Sequence, residues 1–114
     1  MPNSNRIKKN EQFKLSSGKL TIKSIAGDAH LTMHRIYYDN KLIKSGEGIV
    51  VVDILVEAGK EIYIEATINL PDGSSDYASL SVEMNDDRNY DRWDYSSPKP
   101  ESGEVIYEVS IILI

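Results

Sequence analysis

The chain has no cysteine. That one absence excludes disulfides, thiolate nucleophiles and cysteine-based zinc sites together. Long apolar runs are missing as well, and none approaches the roughly 20 residues of a membrane-spanning helix. The opening residues, Met1-Pro2-Asn3-Ser4-Asn5-Arg6-Ile7-Lys8-Lys9-Asn10, lack the apolar stretch of a secretory signal. The default expectation is a cytoplasmic protein that touches no membrane, with signal-independent export left open. No glycine-rich phosphate loop is present, since Gly46-Glu47-Gly48 reads as a turn between strands. Convincing helical periodicity is absent too.

With 114 residues the chain can bury one core but not two. Its net charge of −5 is unevenly spread. Residues 1–56 carry nine Lys or Arg against five Asp or Glu, whereas residues 57–114 carry four against thirteen. Such halves make opposed faces if they stay apart, and a mixed surface if strands interleave them. Nucleic acid is not an expected partner: the lysines are scattered and the aromatics sit among carboxylates that repel phosphate.

What is present is alternation. Residues 1–12 are polar and without period, so they read as a flexible N-terminal arm. From Phe13 onward, short strand-like runs alternate with turn signals. Residues 19–24 place Leu20 and Ile22 on one face. Residues 29–38 place Leu31 and Met33 on one face and His30, Thr32 and His34 on the other. Consecutive Ile36, Tyr37 and Tyr38 blur the phase, which a β-bulge would resolve. Asp39-Asn40 is a two-residue hairpin turn. Residues 48–56 are apolar on both faces except at Asp53, the pattern of a central strand. Residues 61–69 point Ile62, Ile64, Ala66 and Ile68 inward, and residues 77–84 do the same with Ala78, Leu80, Val82 and Met84. Residues 104–114 align Val105, Tyr107, Val109, Ile111 and Leu113. Because Ile112 and Ile114 occupy the opposite face, that last strand is expected to be central or covered by a partner. These runs predict an all-β fold, an antiparallel two-sheet β-sandwich of seven or eight strands spanning residues 13–114.

The richest chemistry lies in residues 85–95, which hold four aspartates, two arginines and three aromatics, the only tryptophan among them. This segment is read as the start of a long loop, 85–103. Asp86, Asp87, Asp91 and Asp94 supply the oxygens that calcium prefers, although the central glycine and terminal glutamate of an EF-hand loop are absent. Calcium is therefore the one cofactor the loop would take; otherwise no cofactor is expected. Tyr90, Arg92, Trp93 and Tyr95 are the residue types that anchor protein interfaces or stack on sugars. Trp93 would serve equally well as a plug on one end of the core. His30 and His34, four residues apart on a strand, are about 13 Å from each other and too distant to share a metal. They read as exposed or partly buried polar residues.

No serine lies in a nucleophile elbow, and crowded exposed aspartates remain simple anions, so catalysis is not expected. In length, β pattern and apolar last strand the chain resembles in outline the small two-calcium bacterial lectins. Their acidic, asparagine-rich calcium loop also precedes the last strand. Residues 85–94 match its place but not its spacing, and Ile114 stands where those lectins end in glycine, so membership is not assigned. The expectation is a non-catalytic binding module that contacts a protein partner or itself through the Asp/aromatic loop. The alternative is a carbohydrate-binding module assisted by calcium, with a glycan as ligand.

Overall fold

The computed structural model describes residues 5–27, 31–71, 73 and 76–114. Nine strands appear in it: β1 (Asn5–Phe13), β2 (Lys19–Ala26), β3 (Leu31–Tyr38), β4 (Lys41–Glu47), β5 (Ile49–Leu55), β6 (Glu61–Asn69), β7 (Tyr77–Asn85), β8 (Tyr90–Pro98) and β9 (Glu104–Leu113). They make a five-stranded sheet in the order β1-β9-β6-β3-β4 and a four-stranded sheet in the order β5-β2-β7-β8. The described residues contain no helix.

Strict alternation drives this arrangement. β6 and β7 bury every second residue, so each lays one apolar row against the interior. Buried side chains of both sheets, among them Ile22, Ile64, Val82 and Ile111, belong to one hydrophobic cluster. Each such Ile or Val contributes roughly 1.5–3 kcal/mol by leaving water. Tyr107 ties one sheet to the other, its hydroxyl donating to the Ala78 carbonyl at 2.9 Å. Burial pushes that phenol up to about 12.

Several expectations change. The described residues form nine strands rather than seven or eight. Residues 5–12, expected within a loose arm, form β1 together with Phe13 and pair with β9 in parallel, so the sheets are not wholly antiparallel. The inner row of β1 mixes Ile7 and Phe13 with Lys9 and Glu11, which hides its period. Residues 90–98 of the expected loop form β8. Residues 49–55 form an edge strand rather than a central one, leaving Ile49 62% and Leu55 79% exposed. The final strand, β9, is central, between β1 and β6.

β3 presents its faces the other way round from the simplest apolar reading. Thr32, His34 and Ile36 point inward, while Leu31 and Met33 lie exposed. The pairing with β6 runs unbroken along β3, and the expected bulge falls in β4, where Ile43 is skipped between Ile36↔Lys44 and Tyr37↔Leu42. The phase set by Ile36 therefore holds along all of β3. Asp39 and Asn40 take positive φ angles of 49° and 65°, the conformation of a tight hairpin turn.

Strand order also mixes the charges. Arg6 lies 3.7 Å from Glu108, and Arg35 lies 3.2 Å from Glu65. The basic first half and the acidic second half are interleaved on the outer face of the five-stranded sheet.

Candidate functional site

The segment rich in aspartates and aromatics is a β-hairpin: β7, a turn at residues 86–89, and β8. Asp86 makes the turn. Its Oδ1 accepts from the N–H groups of Arg88 at 3.0 Å and Asn89 at 2.8 Å, the Asx-type bonding that stabilises tight turns. Across the fold, the Ser16 N–H donates to Oδ2 at 2.6 Å and the Ser16 hydroxyl donates to Oδ1. Burial alone would raise this carboxyl; the Ser16 hydroxyl and N–H and the N–H groups of Asn89 and Arg88 together outweigh it. The carboxyl is held well below the usual carboxylate range. Asn89 adds a bond from its side-chain amide to the Lys14 carbonyl at 2.8 Å. Asp86 is thus 6% exposed and occupied by the protein's own donors.

Beyond the turn, period two separates the candidate residues. The register Met84↔Asp91, Val82↔Trp93 and Leu80↔Tyr95 assigns Asp91, Trp93 and Tyr95 to the inner side of β8. Tyr90, Arg92 and Asp94 alternate with them and fall on the outer side, level with Asn85, Glu83 and Ser81.

The inner group packs. Trp93 and Tyr95 are partly buried against the core. Tyr95 stacks on Tyr107 with centroids 5.9 Å apart, carries Lys9 Nζ at 5.7 Å from its ring centre, and donates to Glu11 at 2.7 Å. Burial and then that carboxylate raise its phenol far above the ordinary range. These contacts join β8 to β1, the neighbouring edge of the other sheet.

The outer group forms a network. The Tyr90 hydroxyl donates to Glu83 at 2.7 Å, and Arg92 lies 3.6 Å from the second oxygen of that carboxylate. Arg92 Nε donates to Asp94 at 2.9 Å and its terminal nitrogen donates to the Ser81 hydroxyl at 3.3 Å. Ser81 in turn donates to Asp94 at 2.5 Å. The bond from Ser81, followed by that from Arg92, lowers the Asp94 carboxyl. Exposed arginine, tyrosine and aspartate are therefore already oriented by their neighbours.

The four aspartates considered as a calcium set are not brought together. Asp86 is held in the turn, and Asp91 and Asp94 lie on opposite sides of β8. Asp87 is exposed beside a shallow cavity of about 270 Å³ that Asp86, Asp53, Lys19 and Thr21 also border. Among the described residues, no three carboxylates or imidazoles come close enough to hold a metal ion. A second cavity, of about 560 Å³, opens among Leu31, Met33, Glu47, Gly48 and Thr67.

His34, expected to be exposed or partly buried, is fully buried. Its Nε2 lies 2.8 Å from the Gly48 carbonyl and its Nδ1 lies 2.8 Å from the Ser24 hydroxyl. A carbonyl only accepts, so Nε2 carries the proton and Nδ1 accepts from Ser24. Burial is the larger influence and pulls the imidazole below its ordinary value. His34 thereby anchors Gly48, whose φ of 70° starts β5. His30 lies outside the described residues.

Sequence reasoning missed Glu83 and Ser81, which belong to the outer network. It also missed the hairpin itself. The signal was the alternation of Arg92, Asp94 and Ser96 with Trp93 and Tyr95 after a four-residue polar turn. Asp91 and Ser97, both polar in the inner row, obscured it. Compared with family models, curated proteins and solved structures, the chain matches none of them. Among the described residues, no helix is long and apolar enough to cross a membrane.

Proposed function

We propose that the chain is a non-catalytic interaction module, a two-sheet sandwich that makes protein–protein contacts through the edge strand β8. The single observation that carries this reading is the outer row of that edge. Tyr90, Arg92 and Asp94 are exposed and already oriented by Glu83 and Ser81. Side chains fixed before binding lose less entropy on contact, and Tyr and Arg are frequent anchors of interfaces. An open edge adds main-chain donors and acceptors that an extended partner segment can use. Protein contact is preferred over sugar stacking because Trp93 and Tyr95 lean on the core rather than outward.

A strand-blocking variant tests this. Asp94→Pro removes one N–H that faces away from β7, so it spares the hairpin ladder while interrupting any strand added outside it. The native protein is expected to form a complex, with itself or with another protein, that is recovered by pull-down and lost in Asp94→Pro. Complexes that persist unchanged in the variant would exclude β8 as the contact edge.

A further inference from the structure

We infer that the partner for this edge is a second copy of the chain, its β8 running antiparallel to the first about a two-fold axis at Trp93. Arg92 of each copy then stands opposite the partner subunit's Asp94. This rests on the reading of β8 as the contact edge, and it follows from backbone parity and charge.

Parity comes from the two ends of the hairpin. Asp86 N–H donates to the Asn89 carbonyl at 3.0 Å, and Lys99 N–H donates to the Asp76 carbonyl at 2.8 Å. Antiparallel pairs alternate between hydrogen-bonded and non-hydrogen-bonded. Counting inward from either end gives the same result: residues 91, 93, 95 and 97 bond to β7, while Tyr90, Arg92, Asp94 and Ser96 turn their N–H and C=O groups outward. Among the described residues, no strand pairs with β8 on that side.

A second β8 must match outward residues with outward residues, so its permitted registers differ by steps of two. An axis at Arg92 sets that arginine against itself. An axis at Asp94 sets that aspartate against itself. Only an axis at Trp93 sets Arg92 against Asp94 twice and Tyr90 against Ser96 twice. It uses all four outward residues and stops short of Pro98, which has no N–H to give. Opposite charges facing across strands are favourable and like charges unfavourable. Because Arg92 and Asp94 also alternate along each strand, the four charges form a checkerboard. β5, the other edge of this sheet, offers no such match: its fully overlapped register, about Val52, sets Val51 against Asp53.

The test is the mass in solution of the full chain and three variants, by sedimentation or light scattering over a range of concentrations. The native chain of 12.8 kDa is expected as a dimer. Arg92→Asp and Asp94→Arg should each weaken the dimer by about tenfold, because each sets like charges across the axis. The double variant Arg92→Asp/Asp94→Arg should restore it, since the charges merely exchange places. An axis at Arg92 or Asp94 would keep like charges opposed in the double variant, and no rescue would follow. Thermal melts establish that each variant is folded. A monomeric native chain, a dimer indifferent to the single reversals, or a double variant without rescue would each overturn the inference. A monomer whose complex with a different protein is lost in Asp94→Pro would sink self-pairing and leave the contact-edge reading standing.

Discussion

β5 and β8 are the two edges of one four-stranded sheet, and their outer rows differ in kind. Along β5 the outward residues are Ile49, Val51, Asp53 and Leu55, of which Ile49, Val51 and Leu55 are exposed apolar side chains. Along β8 they are Tyr90, Arg92, Asp94 and Ser96. An apolar edge is adhesive but gives little register, and a charge within it discourages indiscriminate pairing. Asp53 takes that place in β5, fixed by a hydrogen bond from Thr21. The β8 row adheres less and specifies more, because two charges on one strand distinguish one alignment from the next. The two edges are also started differently. A buried neutral imidazole, His34, holds the Gly48 carbonyl at the head of β5. A buried carboxylate, Asp86, holds the N–H groups that turn the chain into β8.

The largest effect should come from breaking one start and sparing the other. Asp86→Ala removes the acceptor for the Ser16, Arg88 and Asn89 N–H groups and should cost about 2–3 kcal/mol. Urea unfolding checks the magnitude. Amide exchange should quicken in the β7–β8 hairpin while β2 and β5 stay protected, and uniform quickening would show that the starts are not independent.

Next in size is a difference in pH response. The His34 imidazole is lowered from 6.5 in the fold, so below that pH the unfolded chain takes up a proton that the native state refuses. Stability should therefore fall as pH drops through 6.5, and the fall should vanish in His34→Gln. The Asp86 carboxyl is lowered from 3.8, so its contribution is complete above that pH and is lost only as acid drives it toward its folded value. Melting temperature against pH should show two separate declines, the first loosening the head of β5 and the second the head of β8. A smaller effect is expected from Val51→Lys, which places a charge in the exposed row of β5. It should shift stability by less than about 0.5 kcal/mol yet slow aggregation at high concentration, read by light scattering. Smallest of all, Tyr90→Phe removes the exposed bond to Glu83 and should leave the melt unchanged.

The strands that were legible beforehand are those with an unbroken apolar row. In β6, β7 and β9 every inward position is apolar, so period two could be read directly. β8 escaped because Asp91 and Ser97 sit in its inner row, and β1 because Lys9 and Glu11 do. The β1 set is met by one neighbour, since Tyr95 donates to Glu11 and carries Lys9 over its ring, while Asp91 stays exposed at the start of β8. In β3 the division into two faces is legible but not which one is buried, because Leu31 and Met33 look more like core than Thr32 and His34, yet the latter two are the buried pair. The buried histidine is accommodated by Ser24, on a strand of the other sheet, and by the Gly48 carbonyl. At the candidate site, the residue types were visible in advance but their division between two faces was not.

The all-β character, most of the inward rows and the hairpin turn at Asp39-Asn40 follow from local pattern, because alternation and turn chemistry act over a few residues. Which strands are edges, the pairing of Asn5 with Val105, and the burial of Asp86 and His34 emerge only once the sheets have assembled. Those outcomes depend on partners far away in the chain, as Ser16 is from Asp86, and no local period encodes the order in which strands find one another.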